Sequence, residues 1–203
     1  KVLDKKGSDR VELLKKRPQK LIPNSYEHII VFGDSHASDI YLGLTQINNY
    51  KNFYYIPNNI NCFEILSKGD DLHFFEKFTS KVFNKKSSSK FEYMKCFNEF
   101  KNLEDLINEI GKNKKIKIIL SMMWDEDEIK NLSYFFERMN IYYTDITVIS
   151  KRISLPKYYM TVLRSKSVEQ TNKIFNQNFK RYKNLNEKLK IKVLQNNAKY
   201  LDL

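Results

Sequence analysis

The chain has 203 residues, 41% of them hydrophobic and 14% aromatic, which is enough for one compact domain with its own core. Its net charge of +12 favours an anionic neighbour, but no zinc knuckle, Gly-Lys phosphate loop or aromatic RNA-binding pattern accompanies that charge, so nucleic acid is not an expected partner. No apolar run approaches the roughly 20 residues of a membrane span, and no signal-peptide pattern opens the chain.

Strands and helices are predicted to alternate after a basic lead-in segment, residues 1–27, which contains Pro18 and Pro23 and precedes a single domain, 28–203. Apolar runs predict strands at 28–32, 53–56, 116–123 and 146–149, and a last strand at 191–194 or 198–201. Helical spacing predicts helices at 35–48, 71–83, 97–110, 125–140 and 167–189, with a polar loop at 84–90. This alternation predicts an α/β fold, a flavodoxin-like three-layer sandwich whose mostly parallel sheet has about five strands and helices on both faces.

The stretch Gly33-Asp34-Ser35-His36 lies between the first predicted strand and the first predicted helix. Gly33 permits a tight exit from the strand, because it has no Cβ to clash at positive φ. Ser35 then lies at the edge where open α/β sheets carry their sites, beside helix-start N–H groups that can face an oxyanion. Asp34 is predicted to orient this loop through backbone hydrogen bonds. The same residues also fit an ordinary turn in which Asp34 or Ser35 caps the helix.

A serine nucleophile needs a base within hydrogen-bond reach, and none of the three histidines is an obvious one. His28 lies seven residues before Ser35, about 23 Å along an extended strand. His36 is adjacent to Ser35, so it is predicted to support the loop, to face the substrate, or to lie on the surface. His73 falls on a predicted helix, where a surface position is the simplest interpretation.

The remaining polar residues have structural as well as functional interpretations. The run Asp125-Glu126-Asp127-Glu128 is predicted to begin a helix, with Asp125 as N-cap and Glu128 as its capping-box partner, and not to hold a metal. Trp124 is interpreted as a core residue or a pocket wall. Lys151-Arg152, after the fourth predicted strand, fits either a contact with an anionic sugar polymer or a solvated loop.

Cys62 and Cys96, 34 positions apart, allow two interpretations. They are buried free thiols if the protein is cytosolic, or a disulfide in an oxidising compartment, where loop-closure entropy makes the bond worth about 4 kcal/mol. Neither cysteine has a second Cys or a His at ligand spacing, so no metal and no other cofactor is expected.

Five short segments, in this order, carry a family resemblance: 31–37 around Gly33-Asp34-Ser35, Cys62 after the second strand, Cys96 ahead of the central strand, the apolar strand that ends in Trp124, and a late helix from Asn172 onward that is followed by Tyr200-Leu201-Asp202. Together they resemble the SGNH (GDSL-like) hydrolase superfamily. Within it, the chain looks most similar to the C-terminal SGNH domain of acyltransferase-3 fused O-acetyltransferases, which modify peptidoglycan or lipopolysaccharide.

The resemblance implies that Ser35 is the nucleophile. It further implies loop and oxyanion support by Gly33, Asp34 and Asn61, pocket contacts by His36 and Trp124, and a disulfide between Cys62 and Cys96. Two departures stand out. The usual oxyanion Gly and Asn blocks are not recognisable, and Asn61 and Trp124 occupy the corresponding regions. The D-x-x-H block that carries the acid and base is expected a few tens of residues after the 200–202 strand, so the catalytic set is expected to be incomplete at Leu203.

Two functional hypotheses of different classes follow. In the first, Ser35 carries an acetyl group, delivered by a membrane acyltransferase domain, to a hydroxyl of a cell-envelope glycan, and water as acceptor would make the domain a carbohydrate esterase. In the second, the domain is a non-catalytic SGNH-like module that binds a glycan or positions a partner. Both imply a membrane-proximal chain without a transmembrane segment, in the periplasm or on the extracytoplasmic face of a bacterial membrane.

Overall fold

The computed structural model describes residues 26–47, 52–58, 62–69, 87–111, 113–142, 144–151 and 167–202. Most of the predicted lead-in segment lies outside these ranges, as do the predicted helix over 71–83 and the site candidates Asn61, His73 and Arg152. None of the described helices is both long enough and apolar enough to cross a membrane.

Five parallel strands form one sheet in the order β2-β1-β3-β4-β5. The strands are β1 Glu27–Gly33, β2 Phe53–Pro57, β3 Lys115–Ser121, β4 Asp145–Ile149 and β5 Lys199–Leu201. The predicted α/β fold with a parallel five-stranded sheet is confirmed. The crevice expected at Ser35 predicts that β1 is the central strand of the sheet. In the structure it is an interior strand between β2 and β3, and β3 is the middle strand.

Helices connect the strands and cover the sheet. They are α1 Ser35–Ile47, α2 Cys62–Gly69, α3 Ser87–Ile110, α4 Glu126–Asn140 and α5 Val168–Gln195. The predicted N-cap of α4 is confirmed, since the Asp125 carboxylate accepts a hydrogen bond from the Glu128 backbone N–H at 2.8 Å. Ser167 caps α5 in the same way, accepting from the Gln170 N–H at 3.2 Å. Both caps satisfy donors that a helix start leaves unpaired.

Two apolar clusters, one on each face of the sheet, make the three layers. The smaller cluster joins Val31 of β1 and Phe53 of β2 to Ala37 and Tyr41 of α1. The larger cluster joins the other side of the sheet to residues of α2, α3, α4 and α5. Phe32 belongs to the larger cluster although it follows Val31 directly, because successive side chains of a strand point to opposite faces.

Aromatic side chains pack against β1, the strand that leads to the candidate site, on the face of the sheet opposite α1. The Phe32 ring lies edge-on to Phe100 of α3, with ring centroids 5.8 Å apart, and stacks on Phe135 of α4 at 5.7 Å. Phe63 of α2 contacts the same two rings. Such ring pairs stabilise the core by more than burial of their surface area alone would. The carboxyl end of β1 therefore extends from a tightly packed part of the core.

Two helices differ in extent from the prediction. Helix α3 begins at Ser87, ten residues before the predicted start, and takes in part of the predicted polar loop. Its early turns are held by tertiary contacts, since Cys96 is disulfide-bonded and Tyr93 packs against the larger cluster. Helix α5 continues to Gln195, so of the two proposed positions for the last strand only the second is correct.

The predicted disulfide is present. Cys62 at the start of α2 and Cys96 within α3 are bonded, with their Cα atoms 5.2 Å apart, and both side chains are buried. The bond ties α2 to α3 within the larger apolar cluster.

We expect reduction of the Cys62–Cys96 bond to lower the free energy of unfolding by about 4 kcal/mol, because the closed loop restricts the unfolded chain. Urea unfolding with and without reductant measures the loss, and a double Cys62→Ala, Cys96→Ala variant is the control that should no longer respond to reductant. Thiol titration of the denatured, unreduced protein should find no free thiol. Two titratable thiols would contradict the bond.

Candidate active site

The exit from β1 requires a glycine. Gly33 has a φ of +142°, and a Cβ built on it would lie 1.8 Å from the Ser121 carbonyl oxygen at the end of β3. Any larger residue would therefore collide with backbone and not with a movable side chain. This close approach brings the ends of β1 and β3 together and fixes where the next residues, Asp34 and Ser35, begin.

Asp34 ties its loop to two neighbours. Its Oδ1 accepts the backbone N–H of His36 at 2.8 Å, and its Oδ2 accepts the backbone N–H of Met123, beyond the end of β3, also at 2.8 Å. The predicted orienting role of Asp34 is therefore observed. Burial by itself would raise the pKa of this carboxyl, but the hydrogen bonds from His36 and Met123 outweigh it and lower the pKa below its ordinary value.

Ser35 is the first residue of α1 and is exposed to solvent. The helix is capped by Asp34, whose side chain binds the His36 N–H and whose carbonyl accepts the first helical hydrogen bond, from Ser38 at 3.1 Å. The cap interpretation of this turn is thus correct for Asp34, and Ser35 is not needed as the cap. Ser35 instead lies at the positive end of a helix dipole, at the carboxyl edge of the sheet.

β2 supports the same loop from its other side. The Gly33 carbonyl accepts the Asn58 backbone N–H at 2.9 Å. The Tyr55 hydroxyl donates to the carbonyls of Gly33, at 3.4 Å, and Asp34, at 3.3 Å. The Ser35 loop is therefore held between β2 and β3, which is the rigid mounting that a nucleophile requires.

His36 is held by Asp34. Its Nδ1 lies 3.0 Å from Asp34 Oδ1, and about a quarter of its side chain is exposed. A carboxylate on Nδ1 fixes the orientation of an imidazole ring and favours the tautomer whose Nε2 can accept a proton. His36 is the one histidine that the described residues place in the Ser35 loop. His28 is buried in β1, where its Nδ1 lies 3.2 Å from the Tyr54 hydroxyl.

We expect Asp34→Asn to lower the free energy of unfolding by about 1–2 kcal/mol at neutral pH, because the amide can accept only one of the two backbone hydrogen bonds. The difference between wild type and variant should depend on pH. Since the folded carboxyl has the lower pKa, its stabilisation is complete above the unfolded pKa of about 3.9 and is lost as the pH falls through the folded pKa. Urea unfolding from pH 7 to pH 2.5 measures this, and a constant difference would contradict the assignment.

Trp124 and Lys151 lie beyond Met123 at the same carboxyl edge of the sheet. The Trp124 side chain is fully buried, and its indole N–H donates to the Ile149 carbonyl at 2.7 Å, which joins the ends of β3 and β4. Its own carbonyl accepts the Lys151 ammonium. Burial and the nearby Arg181 lower the pKa of Lys151, while the Asp125 and Asp34 carboxylates act in the opposite direction.

Asn58 is a candidate that the sequence alone does not single out. It follows β2 directly and is 2% exposed, and among the described residues neither atom of its amide has a hydrogen-bond partner. An unpaired buried amide costs about 1–3 kcal/mol, so its position beside Gly33 makes Asn58 a candidate ligand contact. Nothing in the local sequence distinguishes Asn58 from Asn59. The hydrogen bond from the Asn58 backbone N–H to the Gly33 carbonyl is what identifies Asn58.

Comparisons with known proteins give no family assignment, because no family model, no curated protein and no solved structure matches the chain. Within the described residues, no group of three or more histidine, cysteine, aspartate or glutamate side chains could hold a metal ion. The interpretation of the edge around Ser35 therefore depends on the local geometry and on the motif resemblance.

Proposed function

We propose that Ser35 is the acyl-carrying nucleophile of an O-acyltransferase domain that moves an acetyl group to a hydroxyl of a cell-envelope glycan. The observation that carries the proposal is the placement of an exposed serine at the first position of α1, in a loop that Asp34 fixes to Met123 at the carboxyl edge of the sheet. The resemblance of the residues around Gly33-Asp34-Ser35 to SGNH enzymes supplies the reaction class.

The proposed reaction has two halves. The Ser35 hydroxyl oxygen attacks the acetyl carbonyl carbon of the donor and its proton passes to a base. The base then gives that proton to the donor's leaving group, which departs as the serine ester forms. A sugar hydroxyl then attacks that ester, gives up its proton to the same base, and leaves as the acetylated sugar while Ser35 regains a proton. Water in place of the sugar would give hydrolysis.

Charge on the tetrahedral intermediates needs hydrogen-bond donors. The His36 and Ser38 backbone N–H groups at the start of α1 already bind Asp34, so this helix contributes mainly its dipole, which favours negative charge beside Ser35. The Asn58 amide, buried beside Gly33, is the side chain that we propose as a further donor.

The base has two proposed sources. The resemblance implies a D-x-x-H block that follows the Tyr200-Leu201-Asp202 strand in the intact gene product. The described residues offer His36, whose Nδ1 is held by Asp34. Because side chains of adjacent residues at a helix start diverge, we assign the base to the D-x-x-H block and a supporting role to His36.

The compartment and partners follow from the same proposal. The Cys62–Cys96 disulfide favours an oxidising compartment, which fits the periplasm or the extracytoplasmic face of a membrane. There the acetyl group would come from a membrane acyltransferase domain, and the acceptor would be a glycan.

The test compares the 203-residue chain with the intact gene product, using a chromogenic acetyl ester as donor and a sugar as acceptor. We expect acetyl transfer by a gene product that contains the D-x-x-H block and almost none by a chain without it, because a serine without its base loses several orders of magnitude in rate. Acetylated sugar and free acetate are measured together, which separates transfer from hydrolysis. An intact product that contains no D-x-x-H block and neither transfers nor hydrolyses acetyl groups would favour the binding module.

A further inference from the structure

A cleft of about 190 Å³ opens beside the candidate active site, between the N-terminus of α4 and the middle of α5. Asp125 and Glu126 line one side of it, Lys151 lies at its base, and Asn178, Arg181 and Tyr182 of α5 line the other side. A short chain of contacts links the cleft to the Ser35 loop. Asp34, next to Ser35, binds the Met123 N–H, and the carbonyl of the next residue, Trp124, accepts the Lys151 ammonium.

The carboxylates of this cleft already have partners. Asp125 accepts the Glu128 backbone N–H at 2.8 Å, and Glu126 forms an ion pair with Lys188, also at 2.8 Å. Lys151 donates to Trp124 and lies over the Tyr182 ring, 5.3 Å from its centroid. The Arg181 guanidinium, in contrast, has no hydrogen-bond or ion-pair partner within the part of the chain that the structure describes. The exposed guanidinium of Arg181, which the Glu126 carboxylate attracts electrostatically, is therefore the charged donor group that the cleft leaves open to a ligand.

The chemistry of the lining selects a type of ligand. A guanidinium presents a planar pair of N–H donors that matches a carboxylate. The two carboxylates opposite repel a dianionic phosphate more strongly than a singly charged carboxylate. The Asn178 amide and the Tyr182 ring suit a ligand with hydroxyl groups around an apolar face, because ligand sites combine aromatic surface with a few polar groups.

We propose that this cleft binds a carboxylate-bearing sugar unit, with Arg181 on the carboxylate and Lys151 beside it. The assignment of the cleft as the acceptor subsite rests on the proposed function of Ser35. It adds to that function that the acceptor is an acidic glycan. The cleft is linked to the Ser35 loop through Lys151, which contacts the Trp124 carbonyl, and through Met123, which contacts Asp34. Binding of the sugar itself does not require acyl transfer.

The experiment measures binding in a Ser35→Ala background, so that its outcome is independent of the catalytic assignment. The probes are a hexuronic acid oligosaccharide and the same oligosaccharide with its carboxylates methyl-esterified. Trp124 is the only tryptophan and adjoins Lys151, so its fluorescence reports on the cleft, and calorimetry gives the affinity. We expect the acid form to bind about tenfold or more tightly than the ester, and added salt to weaken it.

Two charge variants locate the binding. Arg181→Gln should weaken binding of the acid form about tenfold and leave the weak binding of the ester unchanged. Lys190→Gln removes an exposed cation from the same helix outside the cleft and should have little effect. Equal affinity for the two probes, no binding of the acid form, or equal losses in the two variants would overturn the proposal. These results would leave the assignment of Ser35 intact, because acyl transfer is measured separately.

Discussion

Ser35→Ala is expected to reduce acetyl transfer by the intact gene product about a thousandfold or more, with little change in stability. The residue is exposed at the start of α1, and the cap bonds to the His36 and Ser38 N–H groups come from Asp34, so they remain when the Ser35 hydroxyl is removed. Loss of a serine nucleophile leaves only the contributions of oxyanion donors and substrate binding, which accounts for the size of the effect.

The matched control removes a hydroxyl from the other end of the same helix. Thr45 is buried, and its hydroxyl donates to the Leu42 carbonyl at 3.0 Å within α1. Thr45→Ala should therefore change the rate by less than about threefold and alter mainly stability, by about 1 kcal/mol. Initial rates with the chromogenic ester and urea unfolding of each variant are the measurements. If Ser35→Ala keeps most of the wild-type rate, another residue is the nucleophile.

Gly33→Ala is expected to lower the free energy of unfolding by about 4 kcal/mol or more, among the largest effects of a single substitution. The new methyl group would lie 1.8 Å from the Ser121 carbonyl oxygen and 3.1 Å from the Ala37 Cβ, and φ is +142°. Because the collision is with backbone, β1 and β3 must separate at their carboxyl ends. That movement would also displace Asp34 from Met123 and with it the Ser35 loop.

Two other glycines separate the collision from the backbone strain. Gly111 has a φ of +92° but open space around its Cβ position, so Gly111→Ala measures strain alone, about 1–2 kcal/mol. Gly43 lies in α1 with open space and no positive φ, so Gly43→Ala should stabilise by about 0.5–1 kcal/mol. Urea unfolding of the three variants gives the series. A cost for Gly33→Ala no larger than that for Gly111→Ala would contradict the close approach of β1 and β3.

The first four strands were predictable because each one contains a short run of β-branched and aromatic residues. β1, β2 and β4 extend at most one residue beyond the prediction at either end, and β3 ends two residues early, at Ser121. The start of α3 could not be predicted, since a serine-rich polar segment has the composition of a loop, and the Cys62 bond to Cys96 that holds its early turns joins distant residues. Local sequence also left two positions for β5, which pairing with β4 decides.

The candidate site was predictable only in part. The loop role of Asp34 follows from the local Gly33-Asp34-Ser35 pattern, because a short carboxylate before a helix binds nearby N–H groups. Its bond to the Met123 N–H spans 89 residues and depends on β1 pairing with β3. The cleft at Lys151 depends on Arg181 and Tyr182, which in the sequence resemble any polar residues of a solvated helix. Only the packing of α5 beside α4 brings them to this edge.

The most direct measurement of the central claim is the position of the covalent acyl group. The intact gene product is incubated with an acetyl ester, quenched in acid, digested, and mapped by mass spectrometry, with Ser35→Ala treated in parallel. We predict one acetyl group on the peptide that contains Ser35, removable by hydroxylamine as expected for an ester, and absent from that peptide in the variant. An acetyl ester on another residue, unchanged in Ser35→Ala, would contradict the account.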